Sequence, residues 1–372
     1  MDFSSNSRWD SRQTIKQDAR NYFKCDVMRD KKGVVGMKVG TYVSPMQVEM
    51  TEREFPSLKA DEALIKVSYA GICGTDMMIF HGLHPRAKAP LILGHEFSGV
   101  VMEIGKDQQV KKGDRVVVEP LLNCGKCAAC QAGQIHVCEN LRYIGIDQDG
   151  GFAEYTTVPV HRLRVLPDSV TEKEAAMIEP LAVAIHTVRR SKLKVGDTVA
   201  ILGAGPIGLL IGIIAERAGA GKIFISDVSS MRLQVAKDLG FEAIDAKTMN
   251  ISEVVKEYTN GVRADIVYEV AGNQFTADQM IDCIKFQGEI AVVSVYKKPP
   301  AIQLAAMHFR EISLMTTRCY SQEDFTKAIE LLAQNKINLD PLVSHVLKLE
   351  DIQTGFDLMG NPDQSLKILF QP

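Results

Sequence analysis

Four cysteines are concentrated in one short stretch of the chain. Cys124, Cys127, Cys130 and Cys138 are separated by two, two and seven residues. Thiolates at this density suit a closed tetrahedral zinc site, which leaves no position for a substrate. The first two spacings also occur in iron–sulfur proteins, but the third spacing and the lack of a proline after Cys138 fit that class poorly. The stretch therefore predicts a structural zinc site, with four unliganded thiols as the alternative.

A second group of possible metal ligands is spread over three motifs. GICGTD contains Cys73, GHEFSG contains His95 and Glu96, and IEPLAVAIH contains Glu179. Three such ligands plus a water form an open zinc site that can polarise a substrate oxygen. Spacing alone does not decide this, because a cysteine is often a small buried apolar residue and a His-Glu pair often lies on the surface.

A glycine-rich segment predicts a dinucleotide-binding turn. The strand-like run TVAILG leads into GAGPIG and then into an apolar helix-like run, where glycines let a pyrophosphate approach the helix N-terminus. The predicted cofactor contacts are Gly203, Gly205, Pro206, Ile207 and Gly208. Asp227 ends the next strand-like run, where a carboxylate accepts from ribose hydroxyls and repels the 2′-phosphate of NADP. NAD is therefore the expected cofactor, although Arg232 could hold a phosphate or stack over adenine.

Two kinds of pattern must position these groups. From about residue 37, short alternating runs broken by glycine and proline predict a β-rich region. From about residue 180, strand-like runs alternate with helices, which predicts a parallel sheet with helices on both faces. After about residue 317 a helix and two short strand-like runs follow, and this return of the chain could complete the first region. The expected fold class is therefore α/β, with a β-rich domain and a doubly wound parallel sheet.

Composition excludes several classes of protein. Apolar residues make up 46% and charged residues 24%, as in globular proteins. A formal charge of −3 argues against nucleic acid as a partner. The longest apolar stretch is shorter than a membrane span and is broken by glycine and proline. The N-terminus has no apolar run of signal-peptide length, and clustered cysteines suit a reducing compartment. We therefore expect a cytoplasmic protein without membrane or nucleic-acid partners.

The order of the motifs resembles that of the zinc-containing medium-chain dehydrogenases. GICGTD, GHEFSGVV, the four-cysteine lobe, GGFAEY, EPLAVAIH and GAGPIG follow one another over about residues 37 to 372. Within that family, Glu96 after the zinc histidine and EPLAVAIH resemble the polyol (sorbitol or L-iditol) dehydrogenases, with L-threonine and 2,3-butanediol dehydrogenases close by.

The resemblance implies two domains and an oligomer. A GroES-like catalytic domain is expected over residues 37–182 and 318–372, with a structural zinc lobe at about 120–140. A Rossmann domain is expected over 183–317, and residues 1–36 are an N-terminal appendage. Relatives of this kind are often tetramers, so a homotetramer or a homodimer is expected.

The resemblance also implies roles for individual residues. Cys73, His95 and Glu96 are expected to bind a catalytic zinc, which with the structural zinc makes two Zn²⁺ per subunit. Glu179 is expected either to be a fourth ligand or to hold the zinc-bound water. Thr75 is expected to pass the alcohol proton outward. Asp76 is expected either to support the ligands or to cap a turn.

One departure concerns the proton route. Many relatives have a histidine where this chain has Met78, and methionine cannot relay a proton. His81 or His84 could replace it, or the ribose could pass the proton to water. Both histidines are, however, expected to be ordinary exposed loop residues.

The substrate pocket is expected to contain Glu179, Phe80 and Arg318. The Arg318 guanidinium suits several hydroxyls or a carboxylate equally well, with a surface or domain contact as the alternative. At the ends of two strands, Val270, Ala271, Ser294 and Val295 are expected to line the nicotinamide, with ordinary sheet core as the alternative.

The sequence therefore predicts a zinc-dependent oxidoreductase that transfers hydride reversibly from a secondary alcohol to NAD and so gives the ketone. The expected alcohol is a polyol or sugar alcohol. The alternatives are L-threonine 3-dehydrogenase and 2,3-butanediol dehydrogenase. The alternative from outside the enzymes is a non-catalytic protein that binds NAD and zinc. The intact set of ligands for an open zinc site argues against this alternative.

Overall fold

The structure is a computed structural model that describes residues 36–106 and 109–372. Apart from Gly36, the predicted appendage lies outside the described residues. The strands are β1 (Gly36–Ser44), β2 (Gln47–Glu54), β3 (Glu62–Gly71), β4 (Leu91–Ile92), β5 (Glu96–Ile104), β6 (Arg115–Val118), β7 (Leu121–Leu122), β8 (Arg142–Tyr143), β9 (Tyr155–Pro159), β10 (Leu163–Val165), β11 (Thr198–Leu202), β12 (Lys222–Asp227), β13 (Glu242–Asp245), β14 (Ala264–Glu269), β15 (Ile284–Val292), β16 (Ser313–Thr316), β17 (Val343–Lys348) and β18 (Lys367–Gln371).

The helices connect and flank these strands. They are α1 (Gly74–Phe80), α2 (Ala128–Gln131), α3 (Glu172–Ala175), α4 (Ile178–Arg190), α5 (Pro206–Arg217), α6 (Ser230–Asp238), α7 (Ile251–Tyr258), α8 (Gln274–Cys283), α9 (Leu304–Phe309), α10 (Gln322–Ala333) and α11 (Ile352–Met359). Short 3₁₀ turns lie at Ile135–Val137, Val160–Arg162, Asp340–Leu342 and Leu349–Asp351.

The β-rich region is built from both ends of the chain. Its largest sheet has the order β10-β6-β5-β3-β18-β17, and β9 also pairs with β3. The last strand, β18, lies antiparallel to β3, with Leu369 opposite Gly71. Alternating apolar residues of these strands form one buried core with α11. The expected return of the chain to complete this region is confirmed.

The second region is a parallel sheet of the order β13-β12-β11-β14-β15-β16. Apolar residues of α4, α5 and α10 pack on one face, and those of α7 and α8 pack on the other. Buried strands on both faces require the nearly continuous apolar runs seen in the sequence. The prediction of a doubly wound parallel sheet is confirmed.

Helix α4 joins the two regions. It is buried from Ile178 to Val188 with the exception of Val183, and packs against both α5 and α10. Its core cluster also includes Cys138 and Leu141 from the cysteine lobe. The helix therefore fixes the cysteine lobe, the parallel sheet and its own N-terminus in one packed unit. Among the described residues, no helix has both the length and the apolar character needed to cross a bilayer.

Candidate active site

Cys73 lies where strand β3 gives way to helix α1. Residue 73 has extended backbone geometry and caps the helix. The Asp76 carboxylate accepts a hydrogen bond from the Cys73 N–H at 2.8 Å. The other carboxylate oxygen of Asp76 is 3.5 Å from Nδ1 of His95. Asp76 thus caps the turn with one oxygen and faces His95 with the other.

His95 and Glu96 enter the site at the start of β5. Glu96 lies opposite Gly71 of β3, so it is next to the turn that presents Cys73. The ligand atoms of Cys73, His95 and Glu96 all lie within 4.8 Å of one another. Burial alone would lower the pKa of His95, but Asp76 and the Cys73 sulfur raise that pKa well above its ordinary value. The acidic groups around His95 therefore favour a positive charge at this point of the site.

Glu179 faces this set from the N-terminus of α4. It is almost fully buried, and burial together with the charge of Glu96 raises its pKa to about 7, while His95 and Lys367 oppose the shift. Glu179 lies outside the set of atoms within 4.8 Å of one another. A thiolate, an imidazole and a carboxylate, with a second carboxylate beyond them, fit an open zinc site.

The four-cysteine lobe forms a second, closed set. The Sγ atoms of Cys127 and Cys130 are 3.5 Å apart, those of Cys127 and Cys138 are 3.8 Å apart, and those of Cys124 and Cys130 are 4.0 Å apart. A tetrahedral zinc with bonds of about 2.3 Å requires sulfurs about 3.8 Å apart. Backbone N–H groups of Lys126 and Cys127 lower the pKa of Cys124 to about 6, which favours the thiolate that zinc requires.

The glycine-rich turn joins β11 to α5. Gly205 caps the helix, and Pro206 is its first residue. A Cβ on Gly208 would lie 1.9 Å from the carbonyl oxygen of Gly203, so the turn cannot close around a larger residue. A Cβ on Gly205 would meet nothing nearer than Nη1 of Arg232, at 3.7 Å. Gly208 is therefore required by the fold, whereas Gly205 keeps the helix N-terminus accessible.

Asp227 is held at the end of β12. One carboxylate oxygen accepts from the N–H of Ala204 at 2.8 Å, and the other accepts from the N–H of Ser229 at 2.9 Å. The carboxylate thus lies directly beside the glycine-rich turn. Arg232 is half-buried over the same turn, where burial lowers the pKa of its guanidinium against the opposing effect of Asp227.

The four residues predicted to line the nicotinamide follow β14 and β15. Val270 and Ser294 are half-buried, whereas Ala271 and Val295 are exposed. A Cβ on Gly203 would lie 3.3 Å from the Ala271 nitrogen. These residues therefore lie at the carboxyl edge of the sheet next to the glycine-rich turn, rather than in the sheet core.

Comparison with known proteins places this geometry in a family. Residues 59–168 match the profile of the alcohol dehydrogenase GroES-like domain, and residues 206–334 match that of the zinc-binding dehydrogenases. The chain is 37% identical over 337 residues to 2-dehydro-3-deoxy-L-galactonate 5-dehydrogenase of Pseudoalteromonas atlantica, covering 90% of this chain and 98% of that protein. The chain belongs to the zinc-containing medium-chain dehydrogenase family.

Other relatives in this dehydrogenase family differ in substrate. Sorbitol dehydrogenase of Halalkalibacterium halodurans is 35% identical over 327 residues, which cover 86% of this chain and 94% of that protein. The crystal structure of 2R,3R-butanediol dehydrogenase from Bacillus subtilis aligns with a TM-score of 0.84 at 31% identity, covering 90% and 99% of the two chains. A zinc-binding dehydrogenase from Sinorhizobium meliloti bound to NADP aligns with a TM-score of 0.85 at 32% identity, covering 91% and 99%.

The family and its relatives establish the type of reaction. The chain is a zinc-dependent dehydrogenase that acts on an alcohol with a nicotinamide nucleotide. The predictions of the family, of the GroES-like and Rossmann folds, and of an enzyme are confirmed.

Sequence reasoning missed a buried lysine of this dehydrogenase. The ammonium group of Lys367 contacts a Glu96 carboxylate oxygen and donates to the carbonyl oxygen of Ile72 at 2.9 Å. Burial would lower the Lys367 pKa, but Glu96 and Cys73 raise it. A Cβ on Gly71 would lie 2.7 Å from a Glu96 oxygen, so glycine is needed for this contact. The available signal was a lysine within the otherwise apolar run LKILF.

The aromatic wall of the site was also missed. Tyr320 is fully buried beside Glu179, and burial followed by the Glu179 charge raises the pKa of its phenol. The Tyr143 hydroxyl lies 2.6 Å from the Cys319 sulfur. Burial would lower the pKa of the Arg318 guanidinium, but Cys319 and Tyr143 raise it. Arg318 is exposed, so its side chain borders this wall rather than a core.

The predicted role of Phe80 in the substrate pocket is wrong. Phe80 is only 1% exposed and packs against Phe356, with ring centroids 5.0 Å apart. It belongs to the core of the β-rich region, because it lies on the face of α1 that packs against α11. An aromatic residue in the core cannot contact a substrate.

The neighbouring residues occupy a short helix and a loop. Thr75 is half-buried in the first turn of α1, two residues after Cys73, and Met78 is half-buried one turn later. Nδ1 of His81 contacts the Met46 sulfur at 3.1 Å. The His84 ring accepts from the N–H of Ala87 at 3.2 Å. His81 is exposed as expected, whereas His84 is half-buried.

Substitutions in the glycine-rich turn separate folding from nucleotide binding. Gly208→Ala should lower the free energy of unfolding by about 1–3 kcal/mol, because its Cβ overlaps the Gly203 carbonyl oxygen. Gly205→Ala should leave the unfolding midpoint unchanged yet weaken NADH binding at least tenfold, because its Cβ blocks the approach of the pyrophosphate. Thermal unfolding and NADH fluorescence titration check this pair. Equal unfolding midpoints for the two variants would contradict the different roles of the two glycines.

Proposed function

We propose that the protein catalyses reversible, NAD-dependent oxidation of a secondary alcohol in a polyol or sugar alcohol to the ketone. The observation that carries this proposal is the set of Cys73, His95 and Glu96, faced by the buried Glu179 in the first turn of α4. When bound, zinc polarises the alcohol oxygen and nicotinamide accepts the hydride.

Four residues of the chain would have further roles in the mechanism. Asp76 orients His95 and leaves Nε2 for the metal. Lys367 neutralises one oxygen of Glu96 and leaves the other available. Glu179 lies beyond the ligand set, which supports a role in holding the water or alcohol rather than closing the coordination. The Thr75 hydroxyl, two residues after Cys73, would take the alcohol proton outward.

The substrate would extend from the zinc set along the aromatic wall. Glu179 and Arg318 stand at its two ends, linked through Tyr320, Cys319 and Tyr143. The Glu179 carboxylate and the Arg318 guanidinium suit a chain of hydroxyls, with the fully buried Tyr320 packed behind them. L-threonine and 2,3-butanediol remain the alternative substrates, since L-threonine 3-dehydrogenase of Bacillus velezensis is 36% identical over 317 residues and the butanediol dehydrogenase structure aligns with this chain.

The proposed domain boundaries follow the sheets. Strand β18 completes the sheet of β3, which supports assigning 318–372 to the catalytic domain with 37–182. Strands β11 to β16 fall within 183–317. The proposed boundary at residue 182 lies within helix α4, so this helix connects the two domains. We also propose a cytoplasmic location, supported by two cysteine-containing metal sets that require reduced thiols.

A chelator-sensitive rate with a polyol tests the activity. NAD reduction should be measured at 340 nm with sorbitol, xylitol, L-iditol, galactitol, L-threonine and 2,3-butanediol. We expect turnover on at least one polyol, loss of more than tenfold after removal of zinc, and recovery when Zn²⁺ is restored. Activity confined to threonine or butanediol would replace the substrate. Full turnover without zinc would overturn the mechanism.

Cofactor preference should depend on the charge of Asp227. Asp227→Asn keeps the size of the side chain but removes the charge that repels a 2′-phosphate, while Arg232 remains. The ratio of kcat/KM with NADP to that with NAD should rise by roughly 10- to 100-fold. Asp245→Asn is the matched control, because Asp245 lies opposite Asp227 at the end of the next strand. An unchanged ratio in Asp227→Asn would contradict the assignment of NAD.

We further propose that two copies associate across β16 and that such pairs form a tetramer. Strand β16 ends the sheet, and exposed apolar side chains surround it: Phe286, Leu304, Phe309 and Leu314. Light scattering should give a multiple of 41.0 kDa. Leu314→Glu should at least halve that mass, because a buried unpaired charge opposes association. The exposed Val262→Glu is the control, and a monomeric wild type would refute the proposal.

A further inference from the structure

Glu269 is a buried acid that the proposed mechanism does not use. It ends strand β14 and has no exposed surface. One carboxylate oxygen accepts from the N–H groups of Ala271 at 3.0 Å and Gly272 at 2.7 Å, and from the Thr276 hydroxyl at 2.8 Å. The other oxygen accepts from the Ser294 hydroxyl. An ionised carboxylate, which only accepts, satisfies all four donors.

This carboxylate lies beneath the half of the cleft expected to hold nicotinamide. Asp227 marks the adenosine side at the end of β12, and the pyrophosphate belongs at the turn after β11. Since β14 lies on the opposite side of β11 from β12, the nicotinamide half falls over the end of β14. Glu269 binds the segments after β14 and β15 that carry Ala271 and Ser294.

The donors around the Glu269 carboxylate are neutral: two backbone N–H groups and two hydroxyls. Within residues 36–106 and 109–372, no lysine, arginine or histidine forms an ion pair with Glu269. Nearby, Tyr296 is half-buried, and burial followed by the charge of Glu269 raises the pKa of its phenol. A buried carboxylate that is satisfied only by neutral donors keeps a strong local field.

We propose that Glu269 is a positioning residue whose negative charge makes the cleft favour the oxidised, positively charged nicotinamide over the neutral reduced form. This inference rests on the proposed use of NAD. The carboxylate holds the two segments that border the ring, and its field acts on the charge that the ring loses when it accepts hydride. A unit charge acting over about one nanometre at a protein boundary changes a binding constant by roughly tenfold.

The test compares affinities for the two redox forms of the cofactor. NADH binding is measured by fluorescence titration of the full-length protein, and NAD⁺ binding by competition. Glu269→Gln should raise the ratio of Kd for NAD⁺ to Kd for NADH by about tenfold. For a two-electron couple this corresponds to about 30 mV in the potential of the bound cofactor. An equal change in both constants, or an unchanged ratio, overturns the proposal.

Three variants separate charge from geometry. Ser294→Ala removes one donor to the carboxylate but keeps the charge, and Glu269→Asp keeps the charge but shortens the side chain. Both should leave the ratio within twofold, even where both constants rise. Glu289→Gln removes a buried carboxylate from the neighbouring strand β15, opposite Ile266 and about 10 Å further from the carboxyl edge. It should leave the ratio unchanged.

A second measurement covers the case in which Glu269→Gln does not fold. Val295 is 78% exposed beside Ser294, so a charge is accommodated there without repacking. Val295→Lys should raise the same ratio and Val295→Glu should lower it, and no change in either overturns the proposal. Failure of the wild type to bind either nucleotide would instead refute the proposed function, which keeps the two failures apart.

Discussion

Several acidic groups are buried together at one point, and the structure must supply the positive charge that they require. Asp76, Glu96 and Glu179 are almost without exposed surface, and the Cys73 sulfur lies among them. Burying one unpaired anion costs several kcal/mol. Lys367 compensates part of this charge, and a divalent cation bound by Cys73, His95 and Glu96 would compensate more. The requirement for cations therefore explains both the lysine in the core and the geometry of the open metal site.

The arrangement of strands and helices brings these charged groups together. Strand β3 and helix α1 present Cys73, β5 presents Glu96, and β18 must return from the far end of the chain to present Lys367. Glu179 begins helix α4, where the positive end of the helix dipole favours a carboxylate. Because α4 also packs on the parallel sheet, the metal site and the nucleotide turn are held by the same packed unit.

The features predicted from residue spacing alone are those set by neighbouring residues, whereas the set of Cys73, His95 and Glu96 was predicted through the order of the family's motifs. The cysteine lobe and the glycine-rich turn each lie within one short segment, so spacing alone carries their geometry. Lys367 and Glu96 are 271 residues apart, and Tyr143 and Cys319 are 176 residues apart. Such contacts arise from strand order and domain packing, which no local pattern encodes. The prediction for Phe80 was wrong for a related reason. The distant helix α11 determines which face of α1 is buried in the core.

The cysteine lobe has a consequence for the active site, although it has no open coordination position. Strand β8 carries Tyr143 back from the lobe and pairs with β7, with Leu121 opposite Tyr143. Cys138 and Leu141 pack into the core that also holds Ile178 and Tyr320. The closed set of four sulfurs thus anchors the strand whose tyrosine contacts Cys319 and supports Arg318. A site that does no chemistry itself thereby fixes one wall of the proposed substrate cleft.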